Sequence, residues 1–339
     1  MAAGRVSLQD VANEASVTSS VVSRVLNGDV TVRVRQETRD RIVEAAQRLN
    51  YRPHPSARAL ASAQTFSVAL LLPDLTNPVY ARIARGAMKV ADGEGYSVLI
   101  SEDSGTSETA VYHRMVDPAR TDGLLIASYH PDHPLLRSAM LGEMPHVFVN
   151  RPAPGSGRNV TVDFEAAGRE ALDRLAAAGH RHVAHISGPL EAPNSVLQAE
   201  AFARRGAERG VRVEVLPTPL SEEGGSHATL ALVTSGSPVT AFYVGNYFQA
   251  LGVLDALERA DWRVPGRVSV ISFDDDRTAQ FLRPPLSTIA MAHDEQGEKA
   301  MEALLRQIRG EEPEDVIVRT PPRFIDRGSV AAPPVRTTA

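Results

Sequence analysis

From Ser67 onward, short runs of consecutive apolar residues alternate with longer stretches whose apolar positions recur every three or four residues. This alternation constrains the fold more than any other feature of the chain. Ser67-Val68-Ala69-Leu70-Leu71-Leu72 is a nearly continuous apolar run closed by Pro73, as expected of a strand buried on both faces of a parallel sheet. Pro78 then opens a helix whose Val79, Ile83, Ala87 and Val90 share one face, and Gly93 to Gly95 closes it. Further strands are expected at Ser97–Ile100, Leu124–Ala127 and Val147–Val149. A second series runs through Val160–Val162, Val183–Ile186, Val239–Val244 and Val268–Phe273, with helices starting near Glu165, Ser195, Ser221 and Tyr247. Ser287–Ile289 and a helix over Glu295–Ile308 are expected to cross back and close the first series. Repeated βα units imply parallel sheets covered by helices on both faces, and two series in succession imply two lobes with a cleft between them.

The first fifty residues have a different pattern. Ser7 can cap a first helix, with Asp10 three residues on to complement its free N–H groups. Leu8, Val11, Ala12 and Ala15 give that helix one apolar face, the chain breaks at Ala15-Ser16-Val17, and Thr18 can cap a second helix. Val22, Val25 and Leu26 face inward, while Ser19, Ser20, Ser23 and Arg24 face outward. Hydroxyls and helix N-termini can grip phosphates, and an Arg fork fits the guanine edge in the major groove, so this face suits a DNA-recognition helix, the plain alternative being a small two-helix cap with a polar face. A third helix is expected from about Val34 to Leu49, completing a three-helix head.

Charge follows the same division. Residues 1–64 carry nine Arg against six acids, a net +3, whereas the remainder carries 27 basic against 35 acidic residues, a net -8. A basic head on an acidic body suits contact with a polyanion. With no Cys, disulfides and thiolate metal sites are excluded. No apolar run approaches a membrane span, and the N-terminal MAAGRVSLQD lacks a signal-peptide core. A cytoplasmic, nucleoid-associated location with no membrane partner is expected.

In open α/β sheets ligands sit beyond the carboxyl ends of the strands. That rule selects Asp74, Asn77, Asn150, Arg151, Asp163, Phe164, Asn246, Tyr247, Asp274 and Asp275 as candidate lining, with Val79 and Tyr80 on the first turn after Pro78. Asp274 and Asp275 form an adjacent pair, but neighbouring residues seldom aim at one atom, so a ligand acceptor or a cap is expected rather than an acid–base pair. His180, His182 and His185 straddle a helix end and a strand, with His182 and His185 on opposite faces, which does not build a metal site. No nucleophile elbow is present, and neither an enzyme nor a bound cofactor is expected.

Several motifs resemble one family. Asp10-Val11-Ala12, Val17-Thr18 and Val22-Ser23-Arg24-Val25-Leu26-Asn27-Gly28 look like the N-terminal signature of the lac repressor (LacI/GalR) family. Leu72-Pro73-Asp74-Leu75-Thr76-Asn77-Pro78, Ser187-Gly188-Pro189-Leu190, Phe273-Asp274-Asp275 and Pro284-Pro285-Leu286-Ser287-Thr288 resemble its body motifs in the same order. Ser16 and Val21 depart from it, standing where a turn Gly and a Thr are common. The resemblance implies an α/β fold: a helix-turn-helix DNA-binding head (1–53), a hinge helix (54–64) and a periplasmic-binding-protein-like two-lobed body (65–330), here followed by a disordered tail (331–339). It assigns Asn27, Tyr51, Ala57, Arg58 and Leu60 to DNA with the outward set, Ser7 and Thr18, Leu60 being the minor-groove wedge. It assigns Gln198 and Leu220 to the effector, at positions where an Arg and an aromatic are common. The implied protein is a homodimeric transcriptional regulator, a repressor, binding an approximately palindromic double-stranded operator under control of a small-molecule effector, a sugar or nucleoside-like compound. The rival reading is a solute-binding protein with the same body and no DNA function.

Overall fold

The computed structural model describes residues 6–26, 32–51, 64–103, 117–128 and 139–334. The chain divides into two compact units, Met1–Phe66 and Ser67–Ala339.

Among the described residues the first unit holds three helices, α1 (Leu8–Glu14), α2 (Ser19–Leu26) and α3 (Gln36–Arg48). Their core is small and dry: Val11, Ala12, Ala15, Val22, Val25, Ile42, Ala45 and Ala46 are buried together. Ser16 turns the chain between α1 and α2 at φ +53°, a left-handed conformation that favours Gly and explains why the resembled family places one there. Arg41 on α3 donates to the Ala15 carbonyl at 2.9 Å and pins that turn. Val21 packs against the core rather than facing out.

The second unit contains two six-stranded sheets. The first has the order β11-β5-β4-β3-β1-β2, from β1 (Ser67–Leu72), β2 (Ser97–Glu102), β3 (Gly123–Ile126), β4 (His146–Val149), β5 (Asn159–Val162) and β11 (Val316–Val318). The second has the order β12-β10-β9-β8-β6-β7, from β6 (His182–Ser187), β7 (Arg212–Pro217), β8 (Ala241–Val244), β9 (Ser269–Phe273), β10 (Ser287–Ala290) and β12 (Arg323–Ile325). All pairings are parallel except that of β12 with β10. The helices Pro78–Gly93 and His293–Ile308 cover the first sheet, Ile83, Ala87, Ala300 and Leu304 packing onto Leu70, Leu125 and Val147. The helices Phe164–Ala177 and Pro193–Arg209 lie on one face of the second sheet, Glu222–Thr234 and Tyr247–Arg259 on the other.

Three expectations need correction. Val160–Val162 does not begin the second lobe: β5 pairs with β4 and β11 in the first sheet. The β4–β5 connection, residues 150–158, holds no helix and is fastened instead by Asn159, which bonds both backbone groups of Ala153. Ser287–Ile289 stays with the second sheet beside β9, and only the helix that follows it returns to the first. Residues 331–334 are not a free tail. Ser269 Oγ exchanges hydrogen bonds with both backbone groups of Ala331, at 3.1 and 3.0 Å, and Ser329 is fully buried. The strand β7 and the short β11 and β12 were not expected.

Candidate functional site

Two surfaces carry candidate chemistry, one in each unit. On the head, Ser7 closes a capping box: Asp10 N–H donates to Ser7 Oγ at 3.3 Å, and the Ser7 N–H donates to Asp10 Oδ2 at 2.8 Å. That backbone bond, followed by one from the Ser7 hydroxyl, holds the Asp10 carboxyl below its ordinary value. Thr18, Ser20 and Arg24 are exposed on or just before α2, and Ser19 and Ser23 are half-buried beside them. No acid lies within α2, so the face offers hydroxyls and one guanidinium. Tyr51 is half-buried against the head's core. Asn27, Ala57, Arg58 and Leu60 lie outside the described residues.

Within the second unit, a cavity of about 220 Å³ opens between the carboxyl ends of the two sheets. Asp74, Asn77, Val79, Tyr80, Asn150, Arg151, Phe164, Gln198, Leu220, Asn246 and Asp274 all line it. Tyr247 does not. Asn246 caps the helix Tyr247–Arg259, its Oδ1 accepting from Gln249 N–H at 2.7 Å. That geometry sends Tyr247 into the core, where its hydroxyl meets Thr278 Oγ1 at 2.7 Å. One residue on, about 100° around the helix, Phe248 lines the cavity instead. Asn194, Ser195 and Phe273 also line it and were missed; an Asn in the first turn of a helix, next to its Pro, and a strand-end Phe have too many structural readings to be singled out.

The wall is built from matched elements of the two lobes. Asn150 follows β4 at φ +67° and Asp274 follows β9 at φ +66°, left-handed conformations that Asn and Asp tolerate better than other side chains and that persist where the surroundings over-determine them. The Tyr80 hydroxyl is hydrogen-bonded by the side chains of Asn150 and Arg151, and burial foremost raises its pKa. Asn150 Oδ1 and Asn194 Oδ1 are buried with no hydrogen-bond partner among the described residues. Such acceptors are costly unless something donates to them. Phe164 and Phe273 stack obliquely with ring centroids 6.0 Å apart.

Behind Asp274 runs a buried polar chain that the sequence did not announce. Asp274 Oδ1 lies 2.6 Å from His293 Nε2, and His293 Nδ1 lies 2.9 Å from Gln296 Oε1. Gln296 Nε2 in turn donates to the Val160 carbonyl at 3.0 Å. A cavity carboxylate on the second sheet is thereby tied to β5 of the first. Asp275 diverges, binding Arg327 at 2.7 Å and the Thr288 hydroxyl, so the two acids do not act as a pair. The three histidines scatter as well: His180 meets Thr240 and Ser269, His182 meets Glu214, and His185 stacks on Tyr243. Among the described residues no group of three or more His, Asp or Glu is placed to hold a metal ion.

A helix-turn-helix head in one chain with a two-lobed α/β body around a polar cavity defines a ligand-binding, DNA-binding regulator. Comparison with known proteins agrees. Residues 7–54 match the model of the bacterial regulatory proteins of the lacI family, and residues 172–330 that of the periplasmic binding protein-like domain. Catabolite control protein A of Priestia megaterium is 30% identical over 331 residues, 96% of this chain and 99% of the relative. The HTH-type transcriptional repressor PurR of Salmonella typhi is 30% identical over 338 residues, 97% of this chain and 98% of its own. A crystal structure of the lac repressor dimer bound to operator and the anti-inducer ONPF superposes with a TM-score of 0.79 at 26% identity, covering 97% of this chain and all of that one. This chain belongs to the lacI family: it is a DNA-binding transcriptional regulator with an effector-binding body. No described helix is long and apolar enough to cross a membrane.

Proposed function

We propose that the protein is a cytoplasmic, dimeric repressor that reads an approximately palindromic operator with α2 and releases or tightens on it when a small molecule occupies the cavity. The observation that carries this reading is the pairing of an acid-free hydroxyl and Arg face on α2 with a cavity whose walls come from both lobes. A ligand touching Asn150 and Asp274 together joins the two sheets, and so has a differential affinity for their arrangements, which regulation requires. Half-sites related by a two-fold axis follow from a dimer presenting two heads. Ser56 to Ala63, with Leu60 as its wedge, is proposed as the hinge element that couples the two units.

The cavity's chemistry points to the effector class. Asn150 Oδ1 and Asn194 Oδ1 ask for donors, and Phe164, Phe248 and Phe273 offer an aromatic wall. A volume of about 220 Å³ is below the roughly 300–1,000 Å³ of drug-sized sites. A compact hydroxyl- or amine-bearing ring, sugar or nucleoside in kind, meets those demands. A thermal-shift panel of monosaccharides and nucleosides tests it, since a compound at one hundred times its Kd adds about 2.7 kcal/mol to the folded state. A hit whose shift survives Asn150→Leu would place the effector elsewhere.

Arg24 is proposed to contact a base. Arg24→Ala should weaken binding to a duplex selected by the wild-type protein by about 1–3 kcal/mol, and weaken binding to random duplex much less. Fluorescence anisotropy at fixed salt measures both; equal losses would reduce Arg24 to a phosphate contact.

A further inference from the structure

On the exposed side of the head, one hydrogen-bonded chain joins α1 to α2. Ser19, the first residue of α2, donates its hydroxyl proton to Gln9 Oε1 at 2.7 Å. Gln9 Nε2 donates in turn to Asn13 Oδ1 at 3.0 Å, one turn further along α1. The second bond orients the Gln9 amide, so that its acceptor oxygen, and not its NH₂, faces Ser19. A serine hydroxyl has one proton and two lone pairs. With that proton committed to Gln9, Ser19 can turn only lone pairs toward anything that approaches α2. Ser20, exposed beside it, has no such tether to α1 and can donate or accept.

Docking on DNA changes the weight of this small bond. In water an exposed hydroxyl exchanges partners freely, but a recognition helix in the major groove is stripped of solvent. Turning the Ser19 proton toward a base would then leave Gln9 Oε1 buried and unpaired, an outcome the interface disfavours. Base edges differ in what they can give an acceptor. Adenine N6 and cytosine N4 present amino donors, whereas guanine O6 and N7 and thymine O4 present only acceptors.

We propose that Gln9 is a specificity-determining residue of this regulator: it fixes Ser19 as a hydrogen-bond acceptor, so that the base facing Ser19 in each half-site is adenine or cytosine. The proposal rests on α2 being the recognition helix. Gln9 sets the polarity of the contact without touching the base itself.

The test is selection of full-length protein on a random-sequence duplex library, with sequencing of the bound fraction. Four proteins are compared: wild type, Ser19→Ala, Gln9→Leu and Gln9→Glu. Ser19→Ala identifies the position, by flattening base preference at one site per half-operator and nowhere else. At that site wild type should favour adenine or cytosine over guanine or thymine by roughly 5- to 100-fold. Gln9→Leu, an exposed substitution that helices accept, frees the proton and should bring guanine and thymine within a few-fold of the others. Gln9→Glu keeps an acceptor and should restore the wild-type preference. A wild-type preference for guanine or thymine at that site would mean that the chain runs the other way and overturn the proposal, as would a Gln9→Leu profile identical to wild type. If wild type enriches no motif at all, the assignment of α2 to DNA fails with it, a result recognisably different from a shifted preference.

Discussion

Lowering the pH from 7 to 4 is expected to cost the second unit about 6 kcal/mol of folding stability through His180 and His185 alone, roughly half from each. Burial pushes both imidazoles down from 6.5 to about 4. His180 is fully enclosed between the Thr240 and Ser269 hydroxyls, at 2.8 and 2.9 Å. His185 packs against both Tyr243 and Phe202 in one three-ring cluster, with ring centroids 4.7 and 5.3 Å away, and its Nε2 has no partner among the described residues. The folded state therefore holds these rings neutral over a range where the unfolded chain takes up protons. Stability falls as the pH drops below 6.5 and levels off below about 4, by about 3 kcal/mol for each ring at pH 4. Urea unfolding at pH 7, 5.5 and 4 measures the loss. His185→Phe fits the same aromatic stack and should remove about half of the pH dependence. An unfolding midpoint that does not move between pH 6.5 and 4.5 would contradict the account.

The second large effect lies where two helices of the first lobe touch backbone to backbone. A Cβ on Gly297 would stand 2.0 Å from the Ile83 carbonyl oxygen, and one on Gly86 would stand 1.9 Å from that of Asp294. No rotamer relieves a clash with main chain. Gly297→Val is thus expected to destabilise the protein by about 3 kcal/mol or more, by forcing the helices Pro78–Gly93 and His293–Ile308 apart. The ion pairs along the seam, Arg82 and Arg85 with Asp294 and Lys89 with Glu298, are largely exposed and offset little of that. Gly93 ends the first helix with open space around its Cα. Gly93→Ala should therefore leave stability unchanged or raise it by up to about 1 kcal/mol. Thermal unfolding of both variants decides the matter; comparable behaviour at positions 93 and 297 would show that the seam can open.

Much of this architecture was legible because its signals are local. Buried parallel strands read as apolar runs, and Ser7 caps the first helix as its side chain predicts; Asn77, Asp163, Ser221 and Asn246 cap theirs by the same local bond. The rule that ligands sit beyond strand ends found Asp74, Asn77, Asn150, Arg151, Phe164, Asn246 and Asp274 of the cavity wall, since position along a strand fixes position on a sheet. What escaped depends on pairing or on rotation. β5 lies between β4 and β11, the latter some 150 residues later, and no local pattern announces that placement. Tyr247 and Phe248 are both aromatic and adjacent, so only the helix phase set by the Asn246 cap tells which one faces the cavity. His293 sits 19 residues beyond Asp274, at the start of an ordinary amphipathic helix, and nothing in its neighbours marks it as support for a carboxylate.

The order of the strands has a consequence for how the protein is made. The first sheet contains β11, and its helical cover includes His293–Ile308, both delivered after the whole second sheet except β12. While the ribosome is still short of Met301, the inner faces of β1, β3 and β4 have neither it nor Leu304 to pack against. The head, by contrast, is complete in the first fifty residues and needs nothing downstream for its core. A nascent chain thus carries a finished DNA-binding module on an unfinished body for most of its synthesis. Chains interrupted between Tyr51 and the helix His293–Ile308 would keep three folded helices while leaving the first lobe's core open to proteases.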